Sequence, residues 1–154
     1  QSGTPVAPVS GGGESPGAAA QAAAARARTA AVAVRTRDAT GTDGGGAGVL
    51  LDTPGHILTT NFIVAAATEG GTITATLSDG REVPADIVGR AKGYDLAVLK
   101  VDAGTGLQPL TLGDSTAIAA GDQVFVVSPG LPARTPAATV VAGRNLEAAS
   151  PHAN

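Results

Sequence analysis

Apolar positions come in short alternating runs separated by turn residues. In AAVAVRTR (30–37), Val32 and Val34 alternate with small residues before Arg35 and Arg37, which predicts a strand. AGVLLD (47–52), Thr53-Pro54-Gly55 and HILTT (56–60) read as a hairpin. TITATLSDG (72–80) and REVPADIVGR (81–90) flank Asp79-Gly80, which predicts a second hairpin with a type I′ turn. LAVLKVD (96–102) is a further strand. DQVFVVS (122–128) and ATVVAGRNL (138–146) form a last pair around the loop PGLPARTPA. DATGTDGGG (38–46) reads as a turn or loop, and NFIVAAA (61–67) as a helical turn interrupting the strands. Strands at this spacing predict an all-β barrel or sandwich.

The first 17 residues, QSGTPVAPVSGGGESPG, have the composition of a tether with nothing to bury. AAAQAAAARART (18–29) has high helix propensity but almost no large apolar side chains, so it needs packing to persist as a helix. The resulting division is 1–29 as linker and Ala-rich segment, 30–146 as the folded domain and 147–154 as a tail. The start Gln1-Ser2-Gly3 suits removal of a signal peptide or anchor, or an excised segment.

Composition narrows the chemistry. The 154 residues contain no Cys, which excludes disulfides, thiolate nucleophiles and Cys-ligated metals. Two histidines, His56 and His152, lie far apart in sequence, and no metal or other cofactor is expected. A net charge of −3 argues against nucleic acid as a partner. Aromatics are 2% of residues, so Ala and Val must fill most of the core. Gly44-Gly45-Gly46 is followed by no Lys-Ser/Thr, so the phosphate-loop pattern fails. Arg26, Arg28, Arg35 and Arg37 read as a solvated basic face.

Five phrases in order, GAGVLLDTPGHILTTN (46–61), TLSDGREVPADIVGR (76–90), YDLAVLKVD (94–102), PLTLGDS (109–115) and GDQVFVVSPG (121–130), resemble the N-terminal part of the HtrA (DegP-like) trypsin-fold serine proteases. The resemblance implies the first antiparallel barrel of a two-barrel fold over about 30–102, a linker at 109–115, and the opening hairpin of an incomplete second barrel over 122–146. It also implies acyl transfer by a Ser, a His and an orienting Asp.

In this family the Gly-His-Ile-Leu-Thr phrase is followed by an Asn and then the catalytic His. Here Asn61 is followed by Phe62, whose ring has no titratable nitrogen. His56 is six residues upstream, about 20 Å along an extended strand, and is no substitute. Asp95 in Tyr94-Asp95-Leu96-Ala97-Val98-Leu99-Lys100 matches the family's orienting Asp. The family's nucleophile phrase, Gly-Asn-Ser-Gly-Gly, does not occur in the sequence, and Ser115 and Ser128 read as loop serines.

Phe62 and Asp95 are therefore expected to be vestigial triad positions, with Phe62 filling core and Asp95 hydrogen-bonded at a strand start. The expectation is a protease homologue without catalysis. It would be an accessory or scaffolding subunit, exported to the bacterial cell envelope. Its partner would be another protein chain, in a membrane-embedded complex or as a second copy, contacted through Val124, Phe125 and Val126. The alternatives are one part of a split or nicked protease, or a peptide-binding domain using the relict cleft.

Overall fold

A computed structural model describes residues 17–127, 129 and 137–140. The tether expected over 1–17 lies outside these residues except for Gly17, as do Ser128, residues 130–136 and 141–146 of the last strand pair, and the tail at 147–154. Helix α1 spans Ala18–Ala30 and strand β1 follows directly as Ala31–Arg37. Next come β2 (Asp43–Leu50), β3 (His56–Thr60) and the short helix α2 (Asn61–Ala65). Strands β4 (Thr72–Thr76), β5 (Glu82–Ala91) and β6 (Leu96–Val101) complete the first unit. Strands β7 (Gln123–Val126) and β8 (Ala137–Val140) come last.

Strands β1 to β6 close into an antiparallel barrel in the order β1-β2-β3-β6-β5-β4. The alternation read from the sequence sets the inward faces: Val32, Val34, Ile57, Leu99 and Val101 are each at most 1% exposed. Each such side chain contributes about 1.5–3 kcal/mol on burial. Ala75 and Ala97, also inward, keep the barrel narrow. Helix α1 is anchored by Ala24 and Ala30, both buried, which supplies the packing that an Ala-rich helix needs.

Two turns differ from the sequence expectation. Strand β2 begins at Asp43, so the loop is confined to 38–42 and Gly44, Gly45 and Gly46 are strand residues. Asp38 Oδ1 holds that loop by accepting from Thr40 N, Thr40 Oγ1 and Thr42 N at 2.7–2.9 Å. The glycines serve close packing: a Cβ at Gly45 would strike the Val34 carbonyl oxygen, and one at Gly46 the Ile63 side chain. The Asp79-Gly80 turn is not type I′, because Gly80 alone has positive φ, at 88°. Gly80 N donates to Leu77 O and Leu77 N to Arg81 O, both at 2.9 Å. That is a three-residue hairpin loop with a left-handed glycine, and Asp79 is spared positive φ.

Strands β7 and β8 pair with each other, from Gln123↔Val140 to Val126↔Ala137, in a separate two-stranded sheet.

Candidate functional site

Residues 61 and 62 open α2, immediately after β3. The first N–H groups of a helix lack partners within it. The N-cap, Thr60, makes no side-chain capping bond. Asp95, 33 residues downstream, does the capping instead. Its carbonyl accepts from Asn61 N at 3.1 Å and its Oδ1 accepts from Phe62 N at 2.8 Å. Among the described residues Asp95 is the one non-glycine with positive φ, 52°. This left-handed conformation, which Asp tolerates better than most residues, ends the 3₁₀ turn Lys92–Tyr94 just before β6.

The rest of α2 is set by packing. Val64 is fully buried and Ile63 lies against Gly46. Phe62 points outward and is 56% exposed, which corrects the expectation that its ring fills core. Helix periodicity accounts for this: Asn61 and Val64, three apart, are both buried on the inner face and Ile63 packs beside them, which leaves Phe62 on the outer face. Tyr94 and Leu96, flanking Asp95 in sequence, are also exposed. Asn61 is 6% exposed, and its Oδ1 accepts from Arg90 Nε at 2.7 Å.

His56 belongs to another constellation, at the opposite end of β3. Its Nδ1 lies 2.6 Å from Asp52 Oδ2, and Asp52 Oδ1 also accepts from Gly55 N and His56 N. The backbone N–H of His56, then its ring and the N–H of Gly55, hold the Asp52 carboxyl below the usual carboxylate range. Ser115 lies in a 3₁₀ turn capped by Asp114, whose Oδ1 accepts from Thr116 N at 2.9 Å and from Thr116 Oγ1 at 2.6 Å. The arginines divide: Arg26 and Arg28 are on α1, Arg35 and Arg37 on β1. Arg37 forms a two-bond pair with Asp43, at 2.7 and 3.0 Å. Arg35 and Arg37 line an open depression of about 550 Å³ to which residues 61, 62 and 95 do not contribute.

Chemically, Asp95 is oriented toward position 62, but position 62 carries no group that can accept a proton. Among the described residues no three His, Cys, Asp or Glu side chains group as metal ligands, and no helix is long and apolar enough to cross a membrane. Val124 and Val126 lie on β7, Val124 half-buried and Val126 59% exposed, while the Phe125 side chain lies outside the described set. The Arg90–Asn61 contact has no signal in the sequence, because the two residues meet only through the barrel's closure.

The comparisons with known proteins agree with this geometry. The family pattern of the trypsin-like peptidase domain matches residues 46–150. A protein named "Probable periplasmic serine endoprotease DegP-like" from Halomonas elongata is 42% identical over 82 residues, which are 53% of this chain and 16% of that protein. The structure titled "HtrA-type protease AlgW with tripeptide" superposes with a TM-score of 0.68 at 30% identity, covering 83% of this chain and 40% of that one. The crystal structure of Deg5 gives a TM-score of 0.71 at 25% identity, with 88% and 68% covered. The chain thus spans a minor part of the curated relatives it matches, yet more than half of it fits the family pattern, and it belongs to the trypsin-like peptidase domain family as a homologue of the DegP/HtrA-type serine proteases.

Proposed function

We propose that this chain is a non-catalytic protease homologue that acts as an accessory or scaffolding subunit of a protein assembly in the bacterial cell envelope. The observation that carries the reading is Phe62 at the family's general-base position, its N–H bonded to the Asp95 carboxylate. A triad without its His loses many orders of magnitude in rate. The two-stranded β7–β8 sheet supports a partner, because an isolated hairpin is marginal in water and Val126 is exposed on it. The periplasmic naming of the DegP-like relatives supports an exported location.

A peptide-binding reading has its own support. Strand β2 pairs with β3 at Val49↔Leu58 and Leu50↔Ile57, so among the described residues Asp43–Gly46 has β1 on one side and no strand on the other. An extended segment adds to such an edge by main-chain hydrogen bonds.

Fluorophosphonate labelling and casein hydrolysis test the absence of catalysis, and co-purification from membranes tests the subunit role. The expected result is no labelling, no hydrolysis and retention in an assembly. Labelling that Ser115→Ala or Ser128→Ala abolishes overturns the non-catalytic reading.

A further inference from the structure

Strand β5 contains a bulge. Its pairing with β6 runs Asp86↔Lys100 and Ile87↔Leu99, then shifts to Gly89↔Val98, Arg90↔Ala97 and Ala91↔Leu96. In an unbroken ladder Arg90 would stand opposite Leu96, in the outward row. The extra residue, Val88, moves it to the inward row, opposite Ala97, which is 1% exposed. Bulges re-aim side chains in this way. From its place opposite Ala97, Arg90 donates its Nε–H to Asn61 Oδ1 at 2.7 Å.

We propose that Arg90 is a positioning residue which, through Asn61, fixes the direction of the side chain at position 62 relative to the Asp95 carboxylate. Asn61 is buried, so its side-chain oxygen needs a donor, and a charged planar Nε–H is a strong and directional one. With Asn61 held by Arg90, and both backbone N–H groups of residues 61 and 62 held by Asp95, the first turn of α2 is fixed from β5 and from the start of β6. This rests on the family reading of position 62 and not on the absence of catalysis.

The test uses Phe62→His in the full chain as a reporter, read by NMR titration of the new imidazole. Beside an oriented Asp95 its pKa should lie about one unit or more above the ordinary value of about 6.5. Adding Asp95→Asn should abolish that elevation, and its persistence would show that residues 62 and 95 do not interact, which is a failure of the family reading. Adding Arg90→Met should lower the imidazole pKa toward its ordinary value. Removal of a nearby cation would by itself raise that pKa, so a fall reports lost orientation. If Arg90→Met does not fold, Arg90→Lys carries the test, because it keeps the charge and the apolar stem without the planar Nε–H, and the same fall is expected. An imidazole pKa that is unchanged or raised by the Arg90 substitution overturns the proposal.

Discussion

Asp95 caps a helix to which it does not belong: its Oδ1 accepts the Phe62 N–H at 2.8 Å and its carbonyl accepts the Asn61 N–H at 3.1 Å. The carboxylate that the family uses to orient a catalytic base therefore has a second, structural task here. That task persists whatever side chain occupies position 62, since both bonds go to backbone. It gives a reason for Asp95 to remain in a chain whose position 62 is Phe.

Asp95→Asn and Asp95→Ala should separate the parts of this role. Asn keeps an acceptor oxygen and tolerates the left-handed φ of 52°. Its melting temperature should stay close to the parent's. Ala loses the cap, at about 0.5–2 kcal/mol, and adds left-handed strain of about 1–2 kcal/mol. Thermal melts rank the variants, and hydrogen exchange at the Phe62 amide, whose acceptor is the Asp95 side chain, should be fastest in Asp95→Ala. Equal exchange in the two variants would refute the capping role.

The barrel was legible in the sequence because its strands keep strict alternation, as in Val32 and Val34 or in Ala97, Leu99 and Val101, and because Thr53-Pro54-Gly55 and Asp79-Gly80 mark turns. Asp95 was identified from its phrase. The start of β2 was not legible, since a glycine run carries no alternation and its reason for being strand is the approach of Val34 and Ile63 from elsewhere in the chain. The outward Phe62 was missed because hydrophobicity alone suggested core, whereas the geometry of α2 had already assigned the inward positions to Ile63 and Val64.

The glycines of β2 should differ in how their replacement is relieved. A Cβ at Gly46 meets the far end of the Ile63 side chain, whereas one at Gly45 meets the Val34 backbone oxygen. Each Gly→Ala change is expected to cost about 1–3 kcal/mol. Ile63→Ala combined with Gly46→Ala should be more stable than the sum of the single effects, and the same combination with Gly45→Ala should be additive. Urea unfolding of the double-mutant cycles decides this.

Arg81 ties the β4–β5 turn to the chain leaving the barrel. Its Nε donates to Asp79 at 2.7 Å, and its Nη1 donates to the Ala103 carbonyl at 2.6 Å. Arg81→Ala should lower stability by about 1–2 kcal/mol. Arg81→Lys should recover part of that loss, lacking the fork that reaches both acceptors. Chemical denaturation with unchanged m-values is the check.

Acid should destabilise the fold below about pH 4. Asp38, Asp43, Asp52, Asp79 and Asp114 are all held below the usual carboxylate range by hydrogen bonds, chiefly from the Thr40 hydroxyl, Arg37, His56 N, Arg81 N and the Thr116 hydroxyl respectively. A carboxyl with a lower pKa in the folded state binds fewer protons there than when unfolded. Its stabilisation is complete above the unfolded value of about 3.9 and is lost as pH falls through the folded value. Melting temperatures should stay level on acidification to about pH 4 and then decline. Asp52→Asn should make that decline less steep, and an unchanged slope would remove Asp52 from the account.

The last prediction concerns β7. Val126 is 59% exposed on a two-stranded sheet that joins no barrel strand, and Gln123-Val124-Phe125-Val126 has high strand propensity. Open edges with this pattern invite pairing or aggregation, so a soluble chain needs them covered. Under the subunit reading the cover is another protein chain, and a specific contact buries on the order of 1,000 Å² or more. Val126→Lys puts a charge where that contact must dehydrate the strand. An ammonium group desolvated without a partner costs several kcal/mol, enough to dissolve a contact of ordinary strength. In the isolated chain the same lysine stays in water, so barrel stability should change by no more than about 0.5 kcal/mol. Size-exclusion and pull-down should therefore show release from the assembly while the melting curve of the barrel is retained. A mutant that elutes and co-purifies like the parent would mean that β7 does not meet a partner, and the subunit reading would lose the surface on which it depends.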